Sequence, residues 1–152
     1  MINTIGNTAV NTAITKQVED EAKMFARTWE KAYGLDLIDN ELVDADGNGI
    51  STYESVFKEL ASDTSSDVTL FVIEGNDYIR QFTTIAGKQG TNLGTSHAAY
   101  GDMKAGKVYT GEALIGTTNY LTCYAPITHN GNVVAYSFVG VDLDTARGVI
   151  TT

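Results

Sequence analysis

NYLTCYAPITHNGNVVAYSFVGVDL, residues 119–143, reads as two β-strands, 119–128 and 133–142, joined across His129, Asn130, Gly131 and Asn132. Side chains alternate between faces along a strand, so Tyr120, Thr122 and Tyr124 share one face while Leu121, Cys123 and Ala125 share the other. Tyr136 and Phe138 form a matching pair on the second strand. One face is small and apolar. The other is aromatic with hydroxyl tips, suited to enclosing a small molecule; the competing reading is a solvated tyrosine face. Pro126 removes a ladder donor and points to a bulge or a local edge.

Upstream, residues 108–115 read as another strand and bring Tyr109 to the set. DVTLFVIE and DYIRQFTT flank the turn Gly75–Asn76 as a hairpin that adds Tyr78, Arg80 and Phe82. Between these strands, IAGKQGTNLGT (85–95) reads as a loop and 96–105 as a short helix stopped by Gly106. Five strands result. Ahead of them, Val10, Ile14, Val18, Ala22, Phe25, Trp29 and Tyr33 recur at spacings of three and four, the stripe of one long helix over 4–33 ended by Gly34. Such a stripe needs a partner, either the rest of the domain or a second copy of the helix, which allows a homodimer. Asp-Gly and Asn-Gly pairs then mark a turn, and Ser51 with Glu54 reads as a capping box opening a second helix with Val56, Phe57 and Leu60 on its apolar side.

The 152 residues suit one domain, and 43% hydrophobic against 19% charged residues can supply a core. Nineteen acids against ten bases give a net charge of −9, which disfavours nucleic acid and anionic membrane surfaces. The acids concentrate in the helical part: residues 1–64 hold twelve acids and five bases, residues 65–152 seven and five. Cys123 is the single cysteine, so no internal disulfide and no Cys-rich zinc site is expected. The longest apolar run, around 133–141, is far short of the roughly 20 residues of a membrane helix, and the first residues do not read as a secretory signal.

Asp44, Asp46, Asn48 and Gly49 copy the opening of a calcium loop, but Ser55 stands where the bidentate Glu is needed, so an Asx-rich turn is the reading. GKQGTNLGTS lacks phosphate-loop spacing, and there is no G-x-S-x-G or H-E-x-x-H. A dyad of Cys123 with His97 is arithmetically available, yet a lone cysteine in a strand reads as a small core residue. No constellation points to an enzyme, a metal or a cofactor.

VTLFVIEGNDYIRQFTT, LGTSHAAYGDMKAGKVYTGEAL and NYLTCYAPITHNGNVVAYSFVGVDL, in that order, resemble the extracytoplasmic Cache sensor domains of bacterial methyl-accepting chemotaxis proteins and sensor kinases, in particular the single-Cache branch near the citrate and dicarboxylate sensors. The last segment carries that family's Y-x-x-x-Y-x-P-I, turn, glycine, apolar strand and V-G-V ending. The resemblance covers about the last 85 residues, and the long helix agrees with it in kind. It implies an α+β, PAS-like Cache fold: a five-stranded antiparallel sheet with the long N-terminal helix on one face and a ligand pocket on the other. It also implies one sensor domain over 1–152, with the long helix at 1–34, a second helix at 51–63, sheet and pocket at 67–143, and the start of a juxtamembrane segment at 144–152. The full-length receptor would be anchored in the inner membrane with this part in the periplasm.

In the citrate branch an R-x-x-H motif at the end of the second strand grips a carboxylate; Arg80 matches the arginine and Thr83 replaces the histidine. Thr122 and Tyr124 stand where that branch has basic residues, so one cationic anchor is kept and the second is gone. Phe138 replaces a small pocket residue. The resemblance thus implies a small monocarboxylate such as acetate, lactate or pyruvate, since a second buried carboxylate would go uncompensated. Arg80 would pair with it, Thr83 and Thr122 would offer hydroxyls, Tyr120 and Tyr124 would orient it, Phe138 and Tyr109 would wall the apolar end, and Lys88 would add a cation from the loop. The alternatives are an amino acid, whose ammonium would need Glu112 or Asp77, a dicarboxylate or purine, or a protein-interaction face built on the tyrosines.

Overall fold

The computed structural model describes residues 2–146, with side chains over 11–144. Helix α1 (Ile2–Lys31) leads to a two-stranded hairpin, β1 (Asp36–Ile38) and β2 (Glu41–Val43), then a 3-10 turn (Ile50–Tyr53) and α2 (Glu54–Ala61). The main sheet follows as β3 (Asp67–Glu74), β4 (Asp77–Thr83), β5 (Tyr109–Ile115), β6 (Thr118–His129) and β7 (Asn132–Asp142), with α3 (Tyr100–Lys104) between β4 and β5 and α4 (Leu143–Ala146) at the end. All neighbours are antiparallel in the order β4-β3-β7-β6-β5.

The α1 stripe behaves as its spacing requires. Val18, Ala22, Phe25 and Trp29 are buried, Ile14 and Tyr33 pack at the margin of the same core, and Val10 lies outside the described side chains. Each fully buried large apolar side chain supplies roughly 1.5–3 kcal/mol. Gly34, at φ 58°, ends the helix, its N–H bonding to Glu30 O while Leu35 N–H bonds to Trp29 O. Two glutamates then tie the helix to the loop before β3 and to β6. Glu21 accepts from the hydroxyls of Thr64 and Ser66, and Glu30 Oε1 accepts from Thr128 N–H at 2.7 Å and Thr128 Oγ1 at 2.9 Å.

Three local features depart from the sequence reading. The β1–β2 hairpin was not expected; its Asp39-Asn40 turn works because both residues accept positive φ, at 51° and 66°. The capping box is absent: α2 opens out of the 3-10 turn without a side-chain cap, and Glu54 pairs instead with Lys58 at 3.7 Å. The short helix covers only 100–104, because 95–99 form tight turns, with His97 N–H on Gly94 O, Tyr100 N–H on His97 O and Ala99 N–H on His97 Nδ1; ahead of them residues 90–93 run along the outer edge of β4, bonding Arg80 N–H to Thr91 O and Leu93 N–H to Tyr78 O. That fringe covers an otherwise open edge.

Pro126 meets both expectations at once. β5 pairs with β6 only over 118–124, so Pro126 lies beyond it on a locally open edge, and the register slips between Ile127 and Thr128. The slip frees Thr128 N–H, and Glu30 takes it up.

Candidate ligand-binding site

The sheet separates two cores. On the α1 side lie Leu70, Phe82, Cys123, Ala125, Ile127 and Val139; on the other lie Phe71, Tyr78, Tyr120, Tyr124, Tyr136 and Phe138 under Leu93, Ala99 and Met103 of the 85–107 segment. Strand parity alone puts Phe82 with Arg80. A bulge in β4 corrects this: Phe71 pairs with Arg80 but Leu70 with Phe82, so Gln81 is the extra residue and Phe82 turns to the α1 side, stacked on Phe57. Cys123 is also on that side, on the opposite face of the sheet from the aromatic set, which removes the dyad with His97.

Arg80 is 5% exposed, with its guanidinium 5.2 Å above the Phe71 ring. Its Nη1 donates to Thr91 Oγ1 at 3.1 Å and to Asn92 O at 2.7 Å, using both protons of that nitrogen and tying the arginine to the fringe. Nη2 and Nε have no hydrogen-bond partner among the described residues. Burial lowers the Arg80 pKa from its ordinary value, partly offset by the Tyr124 phenol and Asp77, but a guanidinium stays charged. Phe71 also contacts Tyr124, with ring centroids 5.9 Å apart.

Tyr124 is fully buried, and its hydroxyl has no partner. Burial pushes that phenol far up, so it stays protonated. His97 stacks edge-on to it at 5.7 Å. Its Nδ1 accepts Ala99 N–H at 3.0 Å, which places the neutral-ring proton on Nε2, and Nε2 is itself buried without a partner. Burial and then the Arg80 charge lower the His97 pKa, keeping the ring neutral and a donor. Three donors thus meet on one apolar floor with bonding capacity unspent. A carboxylate, with about four acceptor sites, is the complement of such a set.

The other expected residues are differently engaged. Tyr120 donates to Asp67 Oδ2 at 3.0 Å, and burial followed by the Asp67 charge pushes its phenol up to about 12. Thr122 donates to Gly111 O at 2.7 Å and Tyr109 to Glu112 O at 2.6 Å, leaving each with lone pairs only. Thr83 is joined to Thr69 at 2.7 Å and accepts Ile85 N–H. Lys88 reaches the β5–β6 turn, where a Cβ on Gly116 would lie 3.3 Å from Nζ. Phe138 is buried against Tyr124, ring centroids 4.9 Å apart. Of the buried side chains in the expected set, Tyr120 and Thr122 have spent their donors inside the domain, whereas Arg80 and Tyr124 have not. A cavity of about 690 Å³ lies elsewhere, between the β1–β2 and β3–β4 hairpins, lined by Leu37, Leu42, Ile50, Val72 and Gln81 among others. None of its lining side chains carries a buried polar atom without a partner.

Residues 8–151 match the model of the Cache 3/Cache 2 fusion domain. The chain belongs to that family. No curated protein matches it. This Cache domain is similar in fold to the sensory domain of the Campylobacter jejuni chemoreceptor Tlp3 with isoleucine bound, at TM-score 0.50 and 11% identity over 97% of this chain and 68% of that one. The same receptor domain with L-valine gives 0.51 and 12% over the same shares, and a methyl-accepting chemotaxis protein X gives 0.51 and 15% over 98% and 64%. The Cache chain thus spans about two thirds of the length of these structures.

In this Cache domain, sequence spacing brings in His97 only as the arithmetically available partner of Cys123. Its one signal is that it is the only imidazole in the 85–107 segment, which crosses the aromatic face. Among the described residues no cluster of His, Cys, Asp or Glu could hold a metal, and no helix is long and apolar enough to cross a membrane. Asp44 is the hub of its loop, accepting from Asp46 and Asn48 N–H, Asn48 Nδ2 and Tyr53 Oη.

Proposed function

We propose that this chain is the extracytoplasmic ligand-binding domain of a membrane-anchored chemotaxis-type receptor, and that it senses a small amino acid by its carboxylate. The observation that carries carboxylate recognition is the unspent donor set of Arg80, His97 and Tyr124 around the Phe71 floor. Isoleucine and valine in the Tlp3 domain support the amino-acid class. With a net charge of −9 the domain does not steer anions globally, so selection rests on placed donors.

A simple monocarboxylate is the second reading, and one observation favours it. Burial alone would raise the Asp77 pKa, yet Tyr78 N–H, Asn92 Nδ2, Gly94 N–H and the Arg80 charge lower it overall. Three donors already occupy that carboxylate, which leaves little for a ligand ammonium. Amino acids and C2–C4 acids are screened by thermal shift on the parent, Arg80→Lys and Tyr124→Phe. A ligand at 100 times its dissociation constant adds about 2.7 kcal/mol, roughly 5–10 °C for a domain of this size. Arg80→Lys keeps the charge but loses the fork, so the shift should largely vanish. Equal shifts in parent and both variants would place the ligand elsewhere.

A further inference from the structure

We propose that Phe138 sets the upper size of the ligand and that Gly140 holds it in the limiting position. This rests on the carboxylate reading above. The register places Thr69, Phe138 and Tyr124 in one row across the sheet and Asp67, Gly140 and Thr122 in the next, with Phe71 beside Arg80 on the other side. Phe138, 1% exposed, does not stand upright in its row. It leans along β7 over Gly140, where a Cβ would meet Phe138 Cζ at 2.5 Å, Phe138 Cε1 at 3.1 Å and Tyr120 Cδ2 at 3.2 Å. Only glycine lets the ring lie there.

In that pose the ring fills the space between Tyr124, at one end of the donor set, and Tyr120, at 6.4 Å between centroids, whose hydroxyl is bonded to Asp67. A ligand held by its carboxylate at Arg80, His97 and Tyr124 and extending toward Tyr120 runs into Phe138. The parent site therefore admits short ligands, and removing the ring opens a channel whose far end is the Tyr120–Asp67 bond.

The test measures dissociation constants by calorimetry for straight-chain acids from acetate to hexanoate and for amino acids from glycine to norleucine. The proteins are the parent, Phe138→Ala, Phe138→Leu and Arg80→Lys. In the parent, affinity falls as the chain lengthens; in Phe138→Ala it instead rises about fourfold per added methylene, from about 0.8 kcal/mol per buried CH₂. Phe138→Leu gives an intermediate cutoff and serves if the alanine variant does not fold. Gly140→Ala should weaken every ligand at least tenfold with Phe138 present and have little effect in the Phe138→Ala background. An unchanged length profile in both Phe138 variants, or a parent that already prefers the longest ligands, overturns the size proposal. If Arg80→Lys still abolishes binding in that case, the carboxylate reading survives; if Arg80→Lys binds like the parent, that reading fails as well.

Discussion

Tyr124→Phe deletes one oxygen, and unliganded stability and ligand affinity should respond with opposite signs. In the unliganded domain the hydroxyl is buried and unpaired. A buried polar group without a partner costs about 1–3 kcal/mol, so its removal should leave the fold more stable. A gain of even about 1 kcal/mol raises the melting temperature by about 2–4 °C for a domain of this length. With ligand bound the same hydroxyl donates to a charged acceptor, a bond of about 1.5–3 kcal/mol, so the dissociation constant should rise roughly 10- to 150-fold. Thermal unfolding by circular dichroism reads the first quantity and calorimetric titration the second. A variant that melts several degrees lower and binds as tightly as the parent would make the hydroxyl a structural group and remove it from the site.

Other substitutions separate the two faces of the sheet. Phe82→Ala should cost about 3–5 kcal/mol in chemical denaturation with ligand affinity unchanged, because the β4 bulge puts that ring in the α1-side core. Glu30→Ala should cost about 1–3 kcal/mol, since it strands Thr128 N–H at the β6 slip; the same titration of denaturant measures it. The Asp44 carboxyl is held at about 2 instead of 3.8, first by the Tyr53 hydroxyl and then, against burial, by Asn48 and Asp46. Its folded pKa lies below its unfolded one, so its contribution is complete above about pH 4 and lost as pH falls through about 2. In Asp44→Asn the urea midpoint should be lower at neutral pH and flatter between pH 4 and 2.

Most of the fold was legible because its elements carry strong periodic signals. The α1 stripe, the Gly75–Asn76 hairpin and the 119–143 pair each combine a clear period with turn residues, and each is present. What escaped depends on single-residue register or on tertiary contact. The β4 bulge at Gln81 leaves no mark in composition, yet it decides that Arg80 faces Tyr124 while Phe82 does not. The β1–β2 hairpin is only three residues per strand, below what alternation can reveal. On the aromatic face, Arg80, Tyr124 and Phe138 could be chosen from strand parity, whereas the bonds of Tyr120, Thr122 and Thr83 are made to residues on other parts of the chain, and Tyr109 turns back on Glu112 three residues on. His97 gains its place from how the 85–107 segment folds over the sheet, held by Tyr136 Oη donating to Met103 O at 2.9 Å and by Tyr100 Oη donating to Asn76 O.

The most direct examination is a crystal structure of the chain grown with whichever amino acid or short acid stabilises it most. The ligand carboxylate should sit about 3 Å from Arg80 Nη2, His97 Nε2 and Tyr124 Oη, with its body against Phe138. Density for the ligand between the two hairpins, beside Leu37 and Gln81, with those three donors still unpaired, would show that the aromatic side is a core and not a receptor site.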